Sequence, residues 1–248
     1  MTTIEPATLA EVQALLGRLH LDDGERVGGR EHRKAGQVHA LLGHLIPLLR
    51  DAPGGRALTV VDAAAGRGHV AAAVGALLLP ALGLRGRVLL CEAEPARARR
   101  AAERFVECGL RGVEAAALPV RELALGEPPD LVVALHACGR ASDEVVELAI
   151  RTQARRLALV PCCHRRATVL SQRAGIPVGG EAGDRLTAAV QDGLRVLRLE
   201  AARYRVDSAP LGGAAITGRD LVIRARPGGG RERAERARRA LDRWRGIE

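Results

Sequence analysis

The sequence predicts an α/β protein, a doubly wound and mostly parallel sheet of seven strands, preceded by a helical stretch and followed by a basic helix. Three observations point there. From Ala57 onward, short apolar runs alternate with segments of helical periodicity, the texture of βαβ units. Two strand-like runs with no helical pattern between them, Tyr204–Ser208 and Asp220–Arg226, then close the series and are spaced for an antiparallel pair at a sheet edge. The first strand also runs straight into a turn of small residues and a helix start, Val60 to His69, where sheets of this kind receive ligands.

Each element has its own signal. Residues 5–51 read as largely helical: Ala10, Val12, Leu15, Leu16 and Leu19 recur at helical spacing, as do Val38, Leu41, Leu42, Leu45 and Leu49. Polar, Gly-rich Asp22–Lys34 reads as a loop between them, and Asp51–Gly55 as a linker. Leu58–Asp62 is a first strand, and Gly68–Leu79 a helix that Pro80 stops. Arg87–Glu92 is a second strand; Pro95–Cys108 is a helix with Pro in its first turn, Gly109 past its end, and Ala98, Ala101, Phe105 and Cys108 on one face. Val113–Ala117 and Asp130–His136 are the third and fourth strands. Ser142 is placed to cap a helix running to Thr152, and Arg156–Pro161 is the fifth strand. Arg185–Ala201 reads as a helix. After a Pro227–Gly230 hinge, Arg231–Arg245 is a basic helix with Ala234, Ala237, Leu241 and Trp244 in a narrow stripe; it fits either a surface helix docked on the body by Leu241 and Trp244 or, as the alternative, an RNA-facing helix. Glu232/Arg236 and Glu235/Arg239 have supportive spacing. The expected division is 1–55, a helical extension; 56–227, the sheet domain; and 228–248, the basic helix.

Composition narrows the function classes. Of 248 residues, 47% are apolar but only 1% aromatic, so Ala, Val and Leu must pack the core. The longest apolar run, Val70–Leu84, contains Pro80 and falls short of the ~20 residues of a spanning helix. Met1–Glu5 lacks a basic-then-apolar leader pattern, and a cytoplasmic protein is expected. The five cysteines sit in predicted elements and strand ends, which favours reduced thiols over a disulfide framework. A net charge of +9 suits nucleic acid or another acidic partner. Lys34 is the only lysine, however, and an Arg-, Ala- and Gly-rich chain is also what a GC-rich coding bias produces.

The turn Val60-Val61-Asp62-Ala63-Ala64-Ala65-Gly66-Arg67-Gly68-His69 supplies small residues where a cofactor must approach the backbone, and a helix start with free N–H groups. Glu92, ending the second apolar run, stands where an acidic residue usually holds ribose hydroxyls. Asp62 ahead of Ala64, which occupies the place of the first Gly of a nicotinamide fingerprint, leans toward S-adenosylmethionine (SAM); Val70–Ala73 offers no third Gly. The fourth and fifth strands end in Leu135-His136-Ala137-Cys138-Gly139 and Pro161-Cys162-Cys163-His164. Neighbouring strands would bring these Cys and His side chains to one crevice. Three roles fit: a zinc site, weakened by adjacent Cys162 and Cys163 and the lack of a CxxC pair; a catalytic base or thiol; or side chains that shape and dry a pocket.

Together, the Asp62–His69 turn, the LHxCG motif at 135–139 and the PCC motif at 161–163 resemble a family of class I SAM-dependent methyltransferases. That family includes the methyltransferase domain of glutathione S-transferase C-terminal-domain proteins, many bacterial proteins and, more distantly, a eukaryotic tRNA ribose methyltransferase. The likeness spans roughly residues 30–226, and Ile216–Arg224 is similar to the family's closing strand. It implies a Rossmann-like seven-stranded methyltransferase sheet and transfer of a methyl group from SAM to O or N, with RNA (tRNA or rRNA) slightly favoured over a small molecule or protein. Asp62, Ala64, Gly66 and Gly68 would seat the cofactor, Glu92 would hold its ribose, and His136 would border both cofactor and acceptor. Cys138, Cys162 and His164 would line the reacting pocket, with no metal. Two departures stand out: Gly36 and Gln37 replace a His and Glu common in the family, and Ala115–Ala117 lacks a residue to read adenine. A non-catalytic RNA-binding protein on the same fold is the alternative, and the glycine pattern disfavours a nicotinamide oxidoreductase.

Overall fold

A computed structural model of the chain describes residues 7–19, 29–52, 55–137, 139–161, 172, 175, 180–212 and 221–245. Its strands are β1 (Leu58–Ala63), β2 (Gly86–Cys91), β3 (Val113–Ala116), β4 (Leu131–Ala137), β5 (Leu157–Pro161), β6 (Tyr204–Pro210) and β7 (Leu221–Pro227). They form one sheet in the order β3-β2-β1-β4-β5-β7-β6. All neighbours pair in parallel except β7, which is antiparallel to both β5 and β6. The expected late antiparallel pair is there, with one addition: β7 inserts between β5 and β6, leaving β6 at the edge. The order reverses between β1 and β4, and a crevice opens outside the carboxyl ends of strands at such a switch point.

Strand alternation sorts the core onto two faces. Val60, Val88, Leu90, Leu131, Val133, Leu135, Ala158 and Val160 pack with the N-terminal helices α1 (Leu9–Leu19) and α2 (Gly29–Leu49). Val61, Ala63, Cys91, Val132, Ala134, Leu157 and Leu159 pack on the other side, with Val145 and Val146 of α6 (Arg140–Arg151) and Leu199 of α7 (Gly180–Ala201). The N-terminal helices therefore share the first core with the sheet. Among the described residues, no helix is long and apolar enough to cross a membrane.

Several expected boundaries shift. α2 begins at Gly29, inside the predicted loop, because its first turns are polar and carry no apolar periodicity. The helix after β1 does not stop at Pro80. It runs as α3 (His69–Ala73), a wide turn of π-helix over Val74–Leu78, and α4 (Leu79–Ala81). The wide turn, in which the Leu79 N–H reaches the Val74 carbonyl, lets the chain accommodate the ring and missing N–H of Pro80. α5 (Pro95–Glu107) ends as expected, with Cys108 as cap and Gly109 at φ 68°; Ala98, Ala101 and Phe105 are buried, whereas Cys108 is half-buried. α6 starts two residues before Ser142, at Arg140, so Ser142 caps nothing. Its hydroxyl donates instead to the Ala137 carbonyl.

The C-terminal helix α8 (Arg231–Arg245) docks through Ala234 and Ala237, each 2% exposed, and not through Leu241 and Trp244, which are only half-buried. Small side chains allow the close approach to α7, and Arg233–Glu200 (3.3 Å) and an Arg238 bond to the Ala201 carbonyl (3.0 Å) secure it. Glu232 pairs with Arg236 as expected, but Glu235 pairs with Arg231. The helix follows β7, whose last residue Pro227 is level with Tyr204 at the start of β6. It therefore begins at the end of the sheet opposite the carboxyl ends of the parallel strands. Tyr204 closes that end. Its buried hydroxyl is shared between the carbonyls of Ala149 (2.9 Å) and Ala154 (2.8 Å), and burial pushes its pKa up to about 12. Tyr204→Phe is expected to cost about 1–2 kcal/mol in urea unfolding, with cofactor affinity unchanged.

Candidate active site

Beyond β1 the backbone makes a turn that side chains would obstruct. Ala64, Gly66 and Gly68 all have positive φ (55°, 61° and 82°). A left-handed alanine is strained by about 1–3 kcal/mol, and the surroundings hold it there. The Ala65 N–H donates to the Cys91 carbonyl (3.0 Å), Gly66 N–H to Glu92 Oε2 (2.8 Å), and Gly68 N–H to the Ala65 carbonyl (3.0 Å). The turn is thus tied to the end of β2.

The two glycines do different work. A Cβ on Gly66 would meet nothing within 4 Å, so that face of the turn is open to a ligand. A Cβ on Gly68 would lie 2.6 Å from both Leu90 Cδ1 and Phe105 Cζ, so Gly68 lets α3 sit down on β2 and α5. The helix α3 has Gly68 as N-cap and no capping side chain of its own. Asp62 replaces the cap from the strand: its Oδ2 accepts the Ala71 N–H at 2.9 Å. At 1% exposure, Asp62 is pushed up to about 7, chiefly by burial and further by Glu92, against the Ala71 hydrogen bond and the positive charge of Lys34. Lys34, the chain's one lysine, therefore acts electrostatically on the turn from α2, a role that sequence reasoning missed. Its isolation in an otherwise Arg-only set was the available signal.

Glu92 lies just past β2 and is buried, at 6% exposure. Besides Gly66, it accepts the Glu94 N–H (3.0 Å) and Arg97 Nη1 (2.9 Å) through Oε1. Arg97 was not anticipated; it stands on the first turn of α5, where it also pairs with Glu94. The thiol of Cys91 beside it donates to the Leu118 carbonyl, and burial pushes it up to about 12, so it is an inert core group.

At the end of β4, a bulge interrupts the register: Leu135 pairs with Val160 and Ala137 with Pro161, leaving His136 as the extra residue. His136 has φ 63°, rare for a residue with a side chain, and is half-buried. The bulge changes strand parity, so that Ala137 joins the α6 side of the core. Since Val133 is level with Asp62, His136 stands about 10 Å farther toward the carboxyl end of the neighbouring strand. The structure thus brings together Asp62, Ala64, Gly66, Gly68 and Glu92 as one turn, with His136 on the adjoining strand end. Cys138, Cys162, Cys163 and His164 lie outside the described residues. Among the described residues, no group of three or more His, Cys, Asp or Glu side chains could hold a metal ion.

A parallel sheet with a reversed seventh strand, a glycine turn after β1 and an acid after β2 defines the class: a nucleotide-cofactor enzyme of the doubly wound type. The chain belongs to a family of methyltransferase domains, which it matches over residues 33–169, and is a SAM-dependent methyltransferase. Similar solved structures share the fold. A rRNA methylase from Streptococcus thermophilus is 15% identical with a TM-score of 0.50, covering 75% of this chain and 96% of that one. The magnesium protoporphyrin IX methyltransferase of Synechocystis PCC 6803, with bound S-adenosylhomocysteine, is 14% identical with a TM-score of 0.51, covering 89% and 99%. A geranyl diphosphate methyltransferase in complex with GPP and sinefungin is 16% identical with a TM-score of 0.54, covering 80% and 79%. No curated protein matches the sequence. The open face of Gly66 and the buried acids at both strand ends fit the cofactor.

Proposed function

We propose that the chain methylates an O or N atom of an RNA, in the manner of the narrower family that its LHxCG and PCC motifs resemble. The observation that carries the site assignment is His136: a strained, half-buried imidazole on a bulge at the carboxyl end of β4, next to the cofactor turn. Strain of this kind clusters at functional sites. When bound, SAM supplies a methyl group already activated by positive sulfur, so the protein's work is alignment and exclusion of water. The turn at Ala64, Gly66 and Gly68 seats the amino-acid end, with Asp62 orienting it from below. Glu92 keeps the turn on β2, and its one remaining acceptor site, on Oε2, takes a ribose hydroxyl. From the end of β4, His136 would orient the acceptor and take its proton. Cys138, Cys162 and His164, which follow β4 and β5 in sequence, are proposed as further members of the site.

RNA is favoured by the net charge of +9 and by an rRNA methylase among proteins of this fold. The reading does not depend on α8, which begins at the far end of the sheet. The test is to incubate the protein with methyl-labelled SAM and fractionated RNA, protein and metabolites. Label is expected in RNA; label confined to protein or metabolites overturns the RNA assignment. His136→Ala is expected to leave SAM affinity within about twofold and to lower turnover by about 10²–10⁴. Undiminished turnover would remove His136 from the reaction.

A further inference from the structure

Among the described residues, the largest fully buried side chain is a charged one. Arg195, in the middle of α7, has no exposed surface. Its Nε donates to Asp143 Oδ1 (3.0 Å), its Nη1 to Asp192 Oδ1 (2.7 Å) and its Nη2 to the Gly139 carbonyl (3.4 Å). Arg198 of the next turn adds a second cation 3.6 Å from Asp143, so two positive and two negative groups balance. Ion pairs taken out of water rarely hold two helices together better than apolar side chains of the same volume would. Packing α7 on α6 does not explain an arginine here. What an aliphatic side chain could not do is donate to the backbone of the turn that leaves β4.

That turn is strained on both sides of position 138. His136 has φ 63°, and Gly139 adopts φ 55° and ψ −119°, a conformation open to glycine. Unfavourable dihedrals persist only where neighbouring structure over-determines them. Two donors do so here: the Ser142 hydroxyl on the Ala137 carbonyl, from α6, and the Arg195 guanidinium on the Gly139 carbonyl, from α7. Asp143 and Asp192 in turn fix the guanidinium plane.

We infer that Arg195 is a positioning residue for His136, locking the exit of β4 in the strained form that presents the imidazole to the crevice. This rests on the role proposed for His136, and its test reads the imidazole itself, whether or not any acceptor is methylated. In the full-length protein, the 13C-labelled histidine ring signals are recorded by NMR, with His136 identified by its loss in His136→Asn. Arg195→Met is expected to shift or broaden the His136 signal while SAM affinity stays within about threefold, and Arg195→Lys to restore it in part. An unchanged His136 signal in Arg195→Met overturns the inference. If Arg195→Met does not fold, Asp143→Asn and Asp192→Asn loosen the same guanidinium more gently. Each is then expected to displace the His136 signal, and no displacement in either overturns the inference too. In a methyl-transfer assay, Arg195→Met is expected to lower kcat at least tenfold with little change in cofactor affinity. Loss of both in proportion would mean an ordinary structural role.

Discussion

Gly68→Ala is expected to destabilise the protein by about 2–5 kcal/mol, from a left-handed backbone that now carries a side chain and from overpacking against the core. The new Cβ would sit 2.6 Å from Leu90 Cδ1 and from Phe105 Cζ, at φ 82°. To relieve both contacts, α3 must lift from β2 and α5, which opens the turn, and SAM affinity is expected to fall at least tenfold. Phe105→Leu in the same background removes one of the two contacts and is expected to recover part of the stability, a coupling that a double-mutant cycle measures. Gly66→Ala makes the contrast. Its Cβ meets nothing within 4 Å, so its stability loss stays near 1 kcal/mol while cofactor affinity falls. Urea unfolding and calorimetric SAM titration separate the two; equal stability losses would sink the division of labour between these glycines.

Asp62→Asn is expected to change how both stability and cofactor binding depend on pH. Burial, more than any other influence, pushes the Asp62 carboxyl from 3.8 up to about 7. Because its folded value lies above its unfolded one, the folded state holds the extra proton between pH 4 and 7. Stability therefore falls as pH rises through that window and levels off above about 7. Asparagine keeps an oxygen for the Ala71 N–H and carries no charge, so its curve should be flatter there and lie above the wild type at pH 8. Cofactor affinity should move the other way. SAM brings positive charge to a turn that Asp62 underlies, so wild-type affinity is expected to rise from pH 6 to 8, with proton release on binding below pH 7. The asparagine variant should lose that dependence and bind about tenfold more weakly at pH 8, the equivalent of one pKa unit. Calorimetry in buffers of different ionisation enthalpy checks it; no proton release at pH 6.5 would refute the linkage. Lys34 and Glu92 act on the same carboxyl from opposite directions, so Lys34→Met should raise its pKa further.

How much of this was legible in the chain follows from the range of the interactions involved. Asp62, the small residues to Gly68, and Glu92 belong to a strand-turn-helix-strand unit whose geometry depends on near neighbours. Their order along the chain was enough to predict the tight turn that the structure shows between β1 and α3. Gly66 and Gly68 looked alike as sequence, because a Cβ at either needs the same positive φ. What separates them is Phe105, thirty-seven residues on, whose ring reaches Gly68 and not Gly66. Pro80 misled for a related reason: proline usually ends a helix, but the wide turn at Val74–Leu78 absorbs it.

Alternation of short apolar runs with helical periodicity was sufficient for the α/β class, since each strand and helix declares itself by the spacing of its own side chains. The late β6–β7 pair was visible too, though not the insertion of β7 beside β5, which depends on long-range pairing of Ile223 with Leu159. His136 could be singled out by its position at a strand end. Its bulge, its strain and the buried guanidinium of Arg195 that braces the next turn could not, because they arise where α6, α7 and β4 meet, fifty-six residues apart along the chain for Arg195 and Gly139. Local periodicity writes the elements. The contacts that strain and steady the site form only once those elements are packed.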